Sequence, residues 1–321
     1  MRLPKIVFSL SGFLLVALSP PLLADPPIQP EVKKVTPGKF IRLRQDDDGQ
    51  PVALQTATAR YVPASGEGNL VVDLIGVVHV GEKSYYQKLN KQFEQYDVLL
   101  YELVAQQGAR PPKGGGKLDN PIAILQQVMK IGLGLDSQME HIDYSKKNFV
   151  HADLSPDQML KAIKDRGEDG ITLFLSLAAD LMRTQNLREL EKQKNPNKKE
   201  LELDIAGLLN DPEAQIKIKK LFAQQLVEQA SPEGGLGRTV ATILVTDRNE
   251  AALKVFQKEL ANGKKKIAIF YGAAHMPDFE KRLRDDFGLK RQSEQWLTAW
   301  DLTRQKSDVE MMLDLIKLLS K

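Results

Sequence analysis

Two histidines in this chain stand in the same setting. One closes the run Leu74-Ile75-Gly76-Val77-Val78-His79 and the other closes Phe270-Tyr271-Gly272-Ala273-Ala274-His275, so each apolar stretch ends in Gly-x-x-His. A loop, a helical pattern and a second apolar run follow each of them. Both second runs carry an acid, Glu102 lying 23 residues after His79 and Asp301 26 residues after His275. The acids share a context too, Tyr101-Glu102-Leu103 and Trp300-Asp301-Leu302. The two units read as a degenerate internal repeat. Two imidazoles and a carboxylate, with the fourth position left to water, make a recognised catalytic metal set. An ion held this way polarises a carbonyl and lowers the pKa of its bound water toward neutrality. A single Gly-x-x-His more often marks a satisfied polar residue at a strand end. Its repetition favours a site, and so does a glutamate in an apolar run, where an unpaired carboxylate is costly. The expected metal-site residues are His79, His275 and Glu102, the glutamate as ligand or as general base, with Asp301 a remote second acid suggested by the pseudo-repeat alone.

The elements that position these residues are legible in the hydrophobic pattern. Residues 70–80, with Val71, Val72, Leu74, Ile75, Val77 and Val78, read as a strand buried on both faces. Residues 83–93 repeat Tyr86, Leu89 and Phe93 at helical spacing, and 96–103 form a second short apolar run. Strand, helix and strand in this order are the βαβ unit of a parallel sheet. The rhythm returns with a strand at 266–271, a helix at 277–287 and a strand at 295–302. In open α/β sheets, ligands collect at the carboxyl ends of parallel strands. Gly76 and Gly272, at those ends, allow close backbone approach. Before the first unit, Asp46-Asp47-Asp48-Gly49 reads as a hairpin turn between strands near 40–44 and 52–61. It lacks the remaining ligand spacing and distal Glu of a calcium loop. The middle, about 120–260, reads as helices; Ser155-Pro156-Asp157-Gln158 is a capped helix start. An amphipathic pattern at about 308–319 predicts a last helix whose apolar side is better explained by packing on the sheet than by membrane binding. The expected fold is α/β: a central mixed, largely parallel sheet with an N-terminal hairpin and a mainly helical middle insertion, over residues 39–321 as one domain.

The amino terminus points to export. Arg2 and Lys5 precede an apolar run of 13 residues, Ile6 to Leu18, and Leu22-Leu23-Ala24 precedes Asp25. This is the layout of a secretory signal over residues 1–24, too short for the roughly 20 residues of a comfortable membrane span. A Pro-rich tether, 25–38, follows. The expectation is a periplasmic or secreted protein with no integral span once the signal is removed. The chain has no cysteine, so a lipoprotein anchor, disulfides and thiolate chemistry are excluded and any metal site draws on His, Asp and Glu. The net charge of +3 falls to +1 without Arg2 and Lys5, which gives no hint of a nucleic-acid partner.

Other features carry less. His141-Ile142-Asp143 and His151-Ala152-Asp153 each put an acid two residues from a histidine, but both read as connecting segments away from the site. Pro112-Lys113-Gly114-Gly115-Gly116-Lys117 lacks the leading Gly and following Ser/Thr of a phosphate loop, and reads as a flexible loop or lid beside the site. Neither a Gly-x-Ser-x-Gly elbow nor a His-Glu-x-x-His helix occurs.

In the residues Gly76-Val77-Val78-His79-Val80, Tyr101-Glu102-Leu103-Val104, Asp247-Arg248-Asn249 and Gly272-Ala273-Ala274-His275-Met276, the chain resembles the TraB/PrgY/GumN/TIKI superfamily. The likeness covers about 71–302, the middle only loosely. It implies a metal-dependent protease of the TIKI kind, with His79, His275 and Glu102 as site residues and a divalent ion (Mn, Co or Zn) as cofactor. By the same likeness Arg248 and Asn249 stand for the family's Arg-Asn, a guanidinium placed to orient a carboxylate or stabilise an oxyanion. Val77 stands where Thr or Ser is common, and Val104 where a polar residue often follows Glu-Leu. The functional expectation is an exported divalent-metal hydrolase acting on a peptide or ester bond, its partner a peptide or small molecule. The alternative is a non-catalytic protein sequestering such a ligand in the same cleft.

Overall fold

The computed structural model describes residues 39–106, 108–111, 133–165, 213–230 and 245–303. The segments expected as signal peptide (1–24), tether (25–38), glycine-rich loop (112–117) and C-terminal helix (308–319), and much of the stretch 120–260 expected to be helical, lie outside these residues. The hairpin is present: β1 (Ile41–Gln45) and β2 (Pro51–Pro63) pair antiparallel. The turn between them closes as its sequence predicts. Asp46 Oδ1 accepts from the amides of Asp48 and Gln50, and Gly49 takes φ +76°, which an L side chain rarely adopts.

The first βαβ unit follows as β3 (Val71–Val77), α1 (Lys83–Phe93) and β5 (Val98–Tyr101), with a short β4 (Val80–Gly81) after His79. The middle supplies β6 (Asp136–Ser137), the four-residue α2 (Gln138–His141), β7 (Phe149–His151), α3 (Pro156–Asp165) and α4 (Ala214–Gln229). The second unit is α5 (Asp247–Ala261), β8 (Lys266–Gly272), a 3₁₀ turn at Ala273–His275, α6 (Met276–Asp285) and β9 (Leu289–Asp301). The described middle is therefore not only helical. β7 is a strand that the sequence reading passed over, because three residues are too few to show a period.

Seven strands form the main sheet, with β1, β2, β3, β8, β5 and β7 in that order and β9 paired with β2. β3, β8, β5 and β7 are mutually parallel, and β2 is antiparallel to β1, β3 and β9. β8 thus inserts between the two strands of the first unit. It is this pairing, Val71–Val77 against Lys266–Gly272, that closes the long chain separation between the two Gly-x-x-His motifs.

Alternation along the parallel strands divides the core into two layers. Leu99, Tyr101, Ala268 and Phe270 face α1 and α4, while Val98, Leu100, Ile267, Ile269 and Tyr271 face α5 and α6. Strands covered on both faces read as continuous apolar runs, as observed. On the first face Phe93 of α1 meets Phe270 at 4.7 Å and Phe149 at 5.6 Å between ring centres. Burial of each such ring is worth about 1.5–3 kcal/mol. α1 also anchors the corner after β3: Tyr86 donates to Val78 O at 3.0 Å, and Tyr85 meets Thr56 Oγ1 at 2.8 Å. At the start of α3, Ser155 Oγ accepts from Gln158 N and Gln158 Oε1 accepts from Ser155 N, the reciprocal box expected there. Among the described residues no helix is long and apolar enough to cross a membrane.

Candidate active site

The carboxyl ends of the four parallel strands each deliver one polar group to one cluster. His79 lies two residues beyond β3, Glu102 directly after β5, Asp153 two residues beyond β7, and β8 ends at Gly272 and runs into the turn carrying His275. His79, Glu102 and His275 meet at Gly272, and Asp153 is linked to Glu102 through Arg248. A β-carbon built at Gly272 would stand 3.4 Å from Glu102 Oε2, 3.7 Å from His79 Nε2 and 3.7 Å from His275 Cδ2. The fold does not require glycine here, since a methyl would make ordinary contacts and φ −50° suits any residue; its bare α-carbon leaves open the space between the three groups. Gly76 serves a milder packing role, with Ala273 and Ala57 O at 3.5 Å from the corresponding point.

Glu102 is held from two sides: Gly272 N donates to Oε2 at 2.7 Å and Arg248 Nη2 donates to Oε1 at 2.7 Å. Arg248, on the first turn of α5, also grips Asp153 with Nε at 3.0 Å and Nη2 at 2.7 Å. The Asp153 side chain is 0% exposed, so this fork is what makes its burial tolerable. Burial works against the Arg248 charge, but Asp153 and Glu102 outweigh it and hold the guanidinium above its ordinary pKa. Burial also favours protonated Glu102, yet the facing His275, His79 and Arg248 and the Gly272 amide bring its pKa down to about 2. Burial is the main reason the His275 imidazole falls to about 4. At neutral pH His275 is therefore uncharged, and Arg248 with the Gly272 amide keeps Glu102 ionised.

Both imidazoles have their free nitrogen chosen for them. Asn249 Nδ2 donates to His275 O at 3.0 Å and to Asp278 Oδ2 at 2.9 Å, so its Oδ1 is left to accept from His275 Nδ1 at 2.7 Å. His79 Nδ1 is bonded to Gln138 Oε1 at 3.0 Å, while Gln138 Nε2 donates to Tyr144 Oη at 2.7 Å. Each ring consequently carries its proton on Nδ1 and turns the Nε2 lone pair inward. Amide or carboxylate oxygens behind ligand histidines orient metal sites in this way. His275 Nε2 lies 3.6 Å from Glu102 Oε1, a spacing that two ligands of one ion can have. His275 is buried and His79 exposed, so His79 stands at the mouth of the cluster.

The residues fit a divalent ion in donor chemistry and in charge, two carboxylates facing one guanidinium. The set is wider than a closed shell: among the described residues only Asp136, Glu140 and His141 bring three donor atoms within 4.8 Å of one another.

The structure thus brings together His79, Glu102, His275, Arg248, Asn249, Gly76 and Gly272. Asp301 is not brought in. It ends β9 opposite Ala53, with β2 and β3 between β9 and β8, and its Oδ1 accepts from Thr303. The internal repeat is therefore one of local order and not of position, because α6 returns to the far edge of the sheet and α1 does not. Asp153 and Gln138 are the residues that sequence reasoning missed. An acid just past a strand end was a usable signal for Asp153, had β7 been recognised. Gln138 offered none. His151 is a satisfied strand-end residue, meeting Leu103 O at 2.6 Å and Gly108 N at 3.3 Å. No family model, curated protein or solved structure matches the chain.

Proposed function

We propose that this chain is an exported, divalent-metal-dependent hydrolase of a peptide or ester bond, related to the TraB/PrgY/GumN/TIKI proteins that its motifs resemble. The observation that carries the reading is the convergence of His79, Glu102 and His275 on the space above Gly272, with both Nε2 atoms turned inward by amide oxygens behind the rings, that of His275 meeting Arg248 Nη1 at 3.5 Å. Support for export is the basic, apolar, small-residue order of residues 1–24.

His79, His275 and Glu102 would hold the ion, which supplies Lewis acidity toward a scissile carbonyl and an activated water. The protein's own contribution follows from its contacts. Asn249 and Gln138 keep the imidazoles in one tautomer. Arg248, locked by Asp153, holds Glu102 ionised, and its Nη1, 3.5 Å from His275 Nε2, faces the same space and is placed to meet a substrate carboxylate or an oxyanion. The His275 and Asp153 side chains are buried and His79 is exposed.

The test is metal content and turnover of the purified full chain on fluorogenic peptides and simple esters. Chelator-sensitive turnover, lost in His275→Ala and Glu102→Gln, is the expected result. A metal-free wild type with full activity would overturn the metal role. A metal-replete protein that binds such a peptide tightly and leaves it intact would establish sequestration instead.

A further inference from the structure

A second cluster of metal-binding side chains stands behind His79 and has no part in the chemistry above. Asp136 of β6 and Glu140 and His141 of α2 each offer a donor atom within 4.8 Å of the others. His141 Nε2 is buried and makes no hydrogen bond, although it lies 3.2 Å from Asp136 Oδ1. The Asp136 contact is at ion-pair distance without hydrogen-bond geometry, so the buried nitrogen's hydrogen-bonding capacity is unused, which is costly. With metal bonds of about 2.0–2.1 Å, a 3.2 Å separation corresponds to an angle at a shared ion of roughly 100°, close to tetrahedral.

The ring is not free to turn away. It stacks on Tyr86 at 6.2 Å with 15° between planes, and its backbone carbonyl is tied to Asn90 Nδ2 at 2.6 Å. Asn90 Oδ1 also accepts from Asp143 N, so both sides of the turn are clamped to α1. The Asp136 and His141 side chains keep 20% and 22% of their exposure, enough for an ion to enter from solvent. Two carboxylates and an imidazole leave a negative charge to attract a cation.

We infer that Asp136, Glu140 and His141 form a separate site for a divalent transition ion, whose task is to brace the turn that orients His79. The imidazole among the ligands suits zinc or another late transition ion better than calcium or magnesium. The bracing follows from the chain. Gln138 opens the same helix, its amide donates to His79 O at 2.9 Å, and its side chain meets His79 Nδ1. β6 is also paired with β4, immediately after His79. An ion tying Asp136 to Glu140 and His141 closes the turn around Gln138 from both ends.

The site stands independently of the hydrolase reading, and ion counting separates them. The full chain is stripped of metal, titrated with Zn²⁺ or Co²⁺, and compared with Asp136→Asn, His141→Ala and His275→Ala. Asp136→Asn, which keeps the side-chain shape, guards against loss of fold in His141→Ala. Both variants are expected to bind one ion fewer than wild type, with affinity for it weakened more than about 100-fold, the upper end of what loss of a mere supporting contact costs. His275→Ala is expected to retain that ion. Zn²⁺ is expected to slow hydrogen exchange over residues 136–142 in wild type and not in Asp136→Asn. An unchanged ion count in both Asp136→Asn and His141→Ala overturns the inference, as does a wild type whose only ion is lost with His275→Ala. A single ion lost with His141→Ala but kept by His275→Ala upholds it and overturns the metal role proposed for His275.

Discussion

Gly272→Ala separates stability from function at this site. The backbone at φ −50°, ψ 140° is one that alanine adopts without strain. The added methyl would meet its nearest neighbours at 3.4 and 3.7 Å, ordinary contact distances. The Gly272 amide still donates to Glu102 Oε2. A glycine replaced by alanine at a compatible position gains about 0.4–1 kcal/mol through the unfolded chain. Against this stands slight further desolvation of a carboxylate already only 13% exposed. The expected change in stability is thus within about 1 kcal/mol, or about 1–2 °C in Tm for a chain of 321 residues. The same methyl occupies the point on which the two imidazoles and Glu102 converge. Affinity for the ion shared by His79, Glu102 and His275 is expected to fall at least about 100-fold, roughly 2.8 kcal/mol. Urea unfolding measures the first quantity. Calorimetric titration with Zn²⁺, in a chain carrying Asp136→Asn to silence the other site, measures the second. Unaltered affinity in Gly272→Ala would show that the ion does not lie above Gly272, and a stability loss beyond about 3 kcal/mol would refute the packing argument.

Three further outcomes are expected. Arg248→Ala strands the buried Asp153 and Glu102 carboxylates and should cost about 3–5 kcal/mol in urea unfolding; a loss under about 1 kcal/mol would mean that the fork is not structural. Gln138→Ala removes the acceptor behind His79 Nδ1, so ion affinity at the His79 site should drop about 10- to 100-fold, and nitrogen NMR should report a mixture of His79 tautomers in place of one. Ser155→Ala deletes one half of the α3 cap and should lower stability by about 1 kcal/mol, with no change in ion binding.

Much of the frame was readable from local pattern. The Asp46–Gly49 turn, the Ser155 cap, the α1 helix and the buried strands appear where their residues demand, because hydrogen bonding within a turn and burial period along an element are properties of neighbouring residues. His79, Glu102 and His275 were legible as a constellation because each stands at the end of an apolar run. Asp73 was not, although it lies in the middle of one. Surrounded by valine and leucine, it is buried at 1% exposure, and its charge is carried by a two-toothed contact from Arg60 on β2 and a hydrogen bond from Tyr96. Nothing near it in the chain announces those partners.

From sequence alone came the N-terminal hairpin, the two strand–helix–strand units in order, and the pair of Gly-x-x-His corners with their glutamate. Tertiary structure decided which strands are neighbours, and that placed the chemistry. β8 lies between β3 and β5, so His275 meets His79 and Glu102; β9 goes to the far side of β2, so Asp301 does not. β7 beside β5 brings Asp153 to Arg248, and α2 brings Gln138 to His79. Periodicity records which face of a strand is buried, whereas strand order depends on loop closure and packing between segments far apart in the chain, and no short stretch of residues encodes it.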